Sequence, residues 1–367
     1  MSTPAALLEG AIGRVAAGAP SGDPAAVQAH IDALTKPPGS LGRLEELALQ
    51  VGCVLGDPPP SLDRAVVFVF AADHGVVARG VSAYPAEVTA QMCANFSGGG
   101  AAINVLARAC GTEVRVVDVG VAADVAGSEG IEHRKVRAGT EDLSAGPAMT
   151  AAEVMAALAV GVEVAASAEA WIVGVGEMGI GNTTAAAAVT ACLTGAAVHE
   201  VVGRGTGIDD HGLARKRDVV KHAMARVVRR DDTRDDALQV LRQVGGLEIA
   251  AMAGAMIGTA ARGALVLVDG FISSAAALAA CRLCAALPAY LVASVASHRS
   301  TEPGHAAVLD ALGLVPLLDL EMRLGEGTGC ALAIPIVQAC GALLAEMATF
   351  QSAGISGPDG NVPGGAP

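Results

Sequence analysis

The feature that most constrains this chain is an alternation that begins at residue 65. Short runs of β-branched residues alternate with Ala-rich stretches at helical spacing. The predicted strands are Ala65–Ala71, Glu113–Val119, Trp171–Val175, Ala264–Val268, Tyr290–Val295 and a weaker run, Val315–Leu318. Several are unbroken apolar runs, as expected of strands covered on both faces. The predicted helices cover 86–109, 150–168, 182–194, 210–229, 246–261, 270–286 and 329–348. This order specifies an α/β fold, a doubly wound, mostly parallel, Rossmann-like sheet. Residues 22–56 read as two helices split by the breaker Lys36-Pro37-Pro38-Gly39-Ser40. The Gly/Pro-rich tail, 352–367, reads as flexible. No internal repeat of roughly 20–50 residues is visible.

Composition narrows the function classes. The chain has 367 residues, 52% hydrophobic and 17% charged, which excludes a largely disordered protein. A net charge of −13 and only five Phe, two Tyr and one Trp argue against nucleic acid, whether held by phosphate contacts or by base stacking. A small phosphorylated ligand remains open, because it needs only local N–H groups and one or two cations. Met1–Pro20 has no basic segment before an apolar core, so no signal peptide is expected. The uncharged run Gly327–Ala345 reaches spanning length but carries Pro335 and Gln338, and reads as a buried helix rather than a membrane span. The eight cysteines are scattered, and Cys281 and Cys284 sit inside an Ala/Leu helical pattern. They read as buried thiols in a reducing cytoplasm rather than as metal or redox groups.

Polar, glycine-rich segments follow the strands: Asp73–Val76, Gly176–Thr184, Asp269–Phe271, Ser297–Glu302 and Arg323–Gly329. Ligands of open parallel sheets bind at the carboxyl ends of strands, so these loops are expected to line one crevice. Gly174, Gly176 and Gly179 match GxGxxG, and Glu200 follows at about the spacing of a ribose-binding acid. That supports a dinucleotide-binding oxidoreductase. Against it, the match lies in the third strand–helix unit and places Glu177 where a pyrophosphate would sit. No GxxxxGK[ST] motif is present. A single phosphate would fit Gly203–Gly207, or Gly325–Gly329 at the start of a long helix, with Lys216, Arg323 and Ser300 adding charge-assisted contacts. Taken alone, each glycine cluster fits an ordinary tight turn equally well.

Glu177 and Glu326 are the two carboxylates in these loops. Each would either cap a helix or act as a general base, worth about 10²–10⁴ in rate. Paired carboxylates also suit glycoside hydrolysis, but few aromatics are available as sugar platforms. Asp73, His74, Asp269, His298 and His305 could assemble a metal site, but no pair has metal-ligand spacing on a helix face, so solvent-facing or loop-bracing roles fit better and no metal or other cofactor is expected.

Together the loops carry a resemblance. The stretches KPPGSLGRLE (36–45), ADHGV (72–76), VSAYPAEVTAQM (81–92), GGAAINVLA (99–107), GEMGIGNTT (176–184), GRGTGID (203–209), GGLEIAAMAGAM (245–256), VDGFISSAAA (268–277), SHRSTEPGH (297–305) and RLGEGTG (323–329) run in order along the chain. The chain resembles the nicotinate-nucleotide:dimethylbenzimidazole phosphoribosyltransferase family of cobalamin biosynthesis. The resemblance implies transfer of phosphoribosyl from nicotinate mononucleotide to 5,6-dimethylbenzimidazole, with inversion. The products would be nicotinate and α-ribazole 5′-phosphate. It further implies a homodimer, with a large α/β domain at 61–329 and a small helical domain from 1–60 and about 330–350.

The resemblance also implies residue roles. Glu326 would be the base, and Glu177 would support it, either by stabilising oxocarbenium character at the ribose or by holding the base's proton. Gly176, Gly179, Asn182, Thr183, Gly203, Gly205, Lys216, Ser300, Arg323 and Gly325 would hold the nucleotide and its phosphate. Tyr84, Gln91 and Leu324 would form the base pocket, although Tyr84 and Leu324 equally fit packing roles. The chemistry suits one carboxylate. A pyridinium leaving group departs without a proton, whereas the attacking imidazole must lose one. A protein that sequesters a nucleotide or an azole without turnover is the non-catalytic alternative.

Overall fold

The computed structural model describes residues 2–18, 22–125, 127–227, 234–291 and 297–356. Five strands form one sheet: β1 (Ala65–Ala72), β2 (Glu113–Gly120), β3 (Ile131–His133), β4 (Ile172–Met178) and β5 (Leu265–Val268). Their order is β3-β2-β1-β4-β5, with every neighbouring pair parallel. β1 is central and buried at every position, as its unbroken apolar run requires. Phe70 in β1 lies opposite Val117 on one side and Glu177 on the other. The chain moves outward from β1 in both directions, so a crevice opens beyond the carboxyl ends of β1 and β4.

Several expected elements differ. The predicted helix 86–109 is two helices, Val88–Ser97 and Ala102–Ala109. Gly98-Gly99-Gly100 separates them, with Gly99 at φ +71, a backbone state no helix interior accepts. The predicted strand Val315–Leu318 reduces to one parallel bridge, Leu318 to His298. Of Tyr290–Val295, Leu291 makes a single parallel bridge to Val266, and 292–296 lie outside the described residues. β3 was not predicted, because Ile131-Glu132-His133 is too short and polar to show a strand pattern. Helices Pro4–Ala17, Arg234–Val244 and Pro303–Leu312 were also not predicted. The predicted helix 210–229 ends at Met224, and its last two positions lie outside the described residues. In the tail, Phe350–Ala353 forms a helical turn capped by Thr349, and 357–367 lie outside the described residues.

Small residues set the packing beneath the sheet. Helices Ala151–Ala166 and Leu247–Ala260 touch almost backbone to backbone. A Cβ at Gly161 would fall 1.9 Å from the Ala251 carbonyl oxygen, and one at Gly254 would fall 2.0 Å from that of Leu158. Near the N-terminus, helices Pro24–Ala33 and Arg43–Leu55 are separated by the expected breaker. Buried Glu45 pins it, accepting from Gly39 N–H at 3.0 Å and Leu41 N–H at 2.9 Å while pairing with Lys36. Helix Thr328–Glu346 packs on Arg43–Leu55 and Ala102–Ala109. It is long and apolar enough to cross a membrane, and 56% of its most apolar window is buried within the protein.

Candidate active site

A cavity of about 520 Å³ opens at the carboxyl edge of the sheet. Its walls come from the segments after β4 (177–183) and β5 (269–273), from 298–302 and 323–326, and from 84–92 and 205–206. Eleven residues expected at the site line it: Tyr84, Glu177, Gly179, Asn182, Thr183, Gly205, Ser300, Arg323, Leu324, Gly325 and Glu326. Four do not. Gly176 lies within β4, where a Cβ would meet the Gly327 nitrogen at 2.3 Å, so this glycine admits the 325–327 turn. Gly203 likewise makes room for the Glu302 carboxylate, 2.2 Å from its Cβ position. Gln91 is exposed and points elsewhere on its helix, whereas Val88 and Met92, one turn apart, face the cavity. Lys216 is fully buried behind the wall, where its Nζ donates to Thr183 Oγ1 at 2.8 Å. The expected loop Asp73–Val76 is replaced in the wall by 84–92.

The dinucleotide fingerprint dissolves in this geometry. β4 runs to Met178, so Gly174 and Gly176 are strand residues and not a phosphate turn. The glycines serve close packing: a Cβ at Gly174 would fall 2.8 Å from that of Cys330.

Glu177, next to last in β4, faces the cavity, and Asn182 Nδ2 donates to its Oε2. Burial, with Glu248 and Asp269 nearby, pushes its pKa up to about 8, against the Asn182 bond. Glu326 sits between Gly325 and Gly327, all three at positive φ (62° for Glu326). Only this turn sets its carboxylate over the cavity while Oε2 accepts Ile103 N–H at 3.3 Å, in the first turn of Ala102–Ala109. Burial raises the Glu326 pKa, and that N–H bond opposes the rise.

Asp269 was expected to face solvent or to brace its loop, but like Asp73, His74, His298 and His305 it is buried, and it dominates this corner. Its Oδ1 accepts Cys330 N–H at 3.0 Å and its Oδ2 accepts Gly327 N–H at 3.2 Å. It therefore occupies the N-terminus of Thr328–Glu346, the anion site expected to take a phosphate. The N-terminus of Asn182–Thr194 is the alternative, with no side-chain cap and no acid in its first turn. Beside it stand Thr183, Gly205 and Lys216, and Arg323 Nη1 donates to the Gly205 carbonyl at 2.9 Å. Burial lowers the Lys216 pKa to about 8, with Glu302 opposing.

The remaining acids and histidines are dispersed. His74 pairs with Glu248, His298 lies 3.7 Å from Asp269, and His305 Nε2 meets Ser274 Oγ at 3.1 Å. Burial holds the His305 pKa down to about 3, and its Nδ1 accepts Ser300 N–H at 2.9 Å. Among the described residues no three His, Cys, Asp or Glu side chains converge to hold a metal. Asp269 and Glu248 lacked any sequence signal for their roles. Each acts through a partner far away in the chain.

Comparisons agree with the geometry. A family model described as phosphoribosyltransferase matches residues 22–355. A Roseiflexus sp. (strain RS-1) protein named nicotinate-nucleotide–dimethylbenzimidazole phosphoribosyltransferase is 52% identical over 336 residues, covering 91% of this chain and 94% of its own. A Geobacter metallireducens protein of the same name is 49% identical over 334 residues, covering 90% and 93%. The crystal structure of CobT from Thermus thermophilus superposes with a TM-score of 0.86 at 48% identity, covering 91% of this chain and 98% of that one. A parallel five-stranded α/β fold, a cavity at its carboxyl edge and half of all positions shared along nine-tenths of the sequence lead to one assignment: the chain belongs to the nicotinate-nucleotide–dimethylbenzimidazole phosphoribosyltransferase family.

Proposed function

We propose that the protein transfers phosphoribosyl from nicotinate mononucleotide to 5,6-dimethylbenzimidazole, making α-ribazole 5′-phosphate for the lower ligand of cobalamin. The observation that carries this reading is the meeting of Glu326 and Glu177 with an uncapped helix N-terminus in one cavity. In the reaction, an acceptor nitrogen attacks the anomeric carbon from the face opposite nicotinate. The carbon–nitrogen bond to the pyridinium breaks, and its electron pair stays on nicotinate. Configuration inverts from β to α. The acceptor's N–H proton passes to Glu326, whose burial and raised pKa keep it a competent base.

Glu177 takes a second role. With its pKa near 8 it holds a proton at neutral pH. The cavity is otherwise rich in carboxylates, with Asp269, Glu302 and Glu326 also in its wall. A neutral Glu177 lessens their repulsion of an incoming phosphate. The phosphate then lies at the start of Asn182–Thr194, near Thr183, Gly205 and Lys216. Holding donor and acceptor in line supplies much of the remaining rate.

The same reading includes a homodimer in the cytoplasm and a small helical unit built from both chain ends. Tyr84 and Leu324 at the cavity rim, with Leu320 and Val315 nearby in sequence, are more than half exposed, as suits a face covered by a second copy. The mutual packing of Arg43–Leu55 and Thr328–Glu346 supports the helical unit.

The test is chromatographic. Nicotinate and ribazole phosphate should appear in equal amounts, and only when the base is supplied with the mononucleotide. Nicotinate alone would mean hydrolysis. Neither product from folded protein would favour a binding protein.

A further inference from the structure

The cavity wall contains a dipeptide, Gly205-Thr206, with contacts on two sides that the reaction above leaves unused. Gly205, at φ +52, lies against the proposed phosphate seat: a Cβ there would fall 2.8 Å from Thr183 Oγ1 and 3.1 Å from Lys216 Nζ. Its carbonyl accepts Arg323 Nη1 at 2.9 Å, three residues before Glu326. Thr206 reaches instead to the segment between β1 and helix Val88–Ser97. Its Oγ1 accepts Ala83 N–H at 3.0 Å and lies 3.0 Å from Ser82 Oγ, which accepts Tyr84 N–H at 3.1 Å. One hydroxyl therefore holds the stretch 82–84, which presents Tyr84 to the cavity, from 123 positions away in the chain.

The rest of that segment has its own anchors. Arg215 Nε donates to the Gly80 carbonyl at 3.2 Å, and the buried Thr89 Oγ1 accepts Ile180 N–H at 3.1 Å. Among the described residues, the hydrogen bonds that reach 82–84 from a distant part of the chain all come from Thr206. These bonds are exposed, and an exposed neutral hydrogen bond competes with water and contributes little by itself. The loop that offers them has glycine at 203, 205 and 207, the last two at positive φ, so its backbone is weakly fixed by local preference.

A phosphate against Gly205 would restrict that loop and leave the Thr206 hydroxyl in place for the stretch 82–84. We propose that Thr206 is a positioning residue that couples the two substrates: the donor's phosphate, seated at Gly205, strengthens the hold on the acceptor base through the Thr206 hydroxyl and the 82–84 stretch. By linkage, the base strengthens phosphate binding by the same factor. One or two neutral hydrogen bonds set that factor at roughly 3- to 10-fold.

This coupling rests on the reading that the phosphate sits at Gly205 and the base beside Tyr84, and one experiment tests both. Ribose 5-phosphate replaces the mononucleotide, because it has no nicotinate to release and no transfer occurs. Calorimetry measures 5,6-dimethylbenzimidazole binding to the full-length protein alone, with saturating ribose 5-phosphate, and with unphosphorylated ribose. Ribose 5-phosphate should tighten binding of the base roughly 3- to 10-fold, and ribose should leave it unchanged. Thr206→Val should abolish the tightening while the affinity for each probe by itself stays within about 2-fold, as expected of an exposed substitution. Thr206→Ser keeps the hydroxyl and should keep the tightening. A merely structural Thr206 would instead lower affinity for the base by one factor with and without ribose 5-phosphate, and that result overturns the proposal. Tightening that persists in Thr206→Val, or that ribose alone produces, overturns it too. Binding of both probes with no tightening in the unaltered protein overturns the coupling and spares the reading of the cavity. Failure of either probe to bind by itself overturns that reading, and the coupling with it.

Discussion

Asp269 and Cys330 are joined across the start of the longest helix by a 3.0 Å bond from the cysteine N–H to the aspartate Oδ1. The other carboxylate oxygen takes Gly327 N–H. One side chain therefore fixes both the helix and the turn that presents Glu326. Asp269→Asn retains one acceptor but turns an amide NH₂ toward a backbone donor. Unfolding in denaturant should show a loss of about 1–3 kcal/mol. Turnover should fall further than that loss explains, because Glu326 loses its seat.

Removing the proposed base should separate chemistry from folding. Glu326→Gln should lower kcat by about 10²–10⁴ while circular dichroism and thermal unfolding stay close to those of the unaltered protein. Nicotinate and ribazole phosphate should fall together. A loss of ribazole phosphate with nicotinate release intact would assign Glu326 to the acceptor's position rather than its proton.

Glu177 should leave a mark on stability as well as on binding. Its pKa is 4.5 when unperturbed and about 8 in the fold. Between these values the folded state binds more protons than the unfolded one. Its contribution is therefore fully present below pH 4.5 and is lost as pH rises through about 8. Glu177→Gln removes that loss. The stability difference between variant and unaltered protein should grow in the variant's favour from mildly acidic pH to about 8, then level off. Denaturant midpoints across this range decide the matter, and a difference that is constant with pH would mean an ordinary pKa.

Lys216 should show the opposite compromise. Its ammonium is buried and its pKa depressed to about 8. Lys216→Met removes a buried charge, so stability at neutral pH should hold or rise. Its ammonium meets the cavity wall at Thr183 Oγ1, so its loss should weaken mononucleotide binding by less than the roughly 10- to 100-fold that a direct charge-assisted contact, worth about 1.5–3 kcal/mol, would cost. The KM for dimethylbenzimidazole should stay unchanged. Equal losses for both substrates would place Lys216 in the general architecture instead.

The parts of this protein that were legible in its sequence are those written in local pattern. β1 reads as a strand because every residue from Ala65 to Ala72 is buried and apolar. The helix Asn182–Thr194 was bounded to the residue, because glycines stand at both its ends. Gly98–Gly100 carried a break that the apolar periodicity around it masked. The site divides in the same way. Glu177 and Glu326 stand out as acids among glycines. Glu248 does not, because it reads as one more residue of an Ala-rich helix until the fold brings it to His74, 174 positions away. Gln91 and Val88 differ by less than one helical turn, and only the helix's rotation chooses which of them meets the ligand.

Glu326 holds a left-handed backbone, φ 62, that a glycine would adopt freely. A side chain there costs on the order of 1–2 kcal/mol. The residue proposed as the base is thus also one the fold would rather do without. A population of variants screened for heat resistance alone should accumulate glycine at 326 and drift toward inert protein. Only a screen that also demands product keeps the glutamate in place.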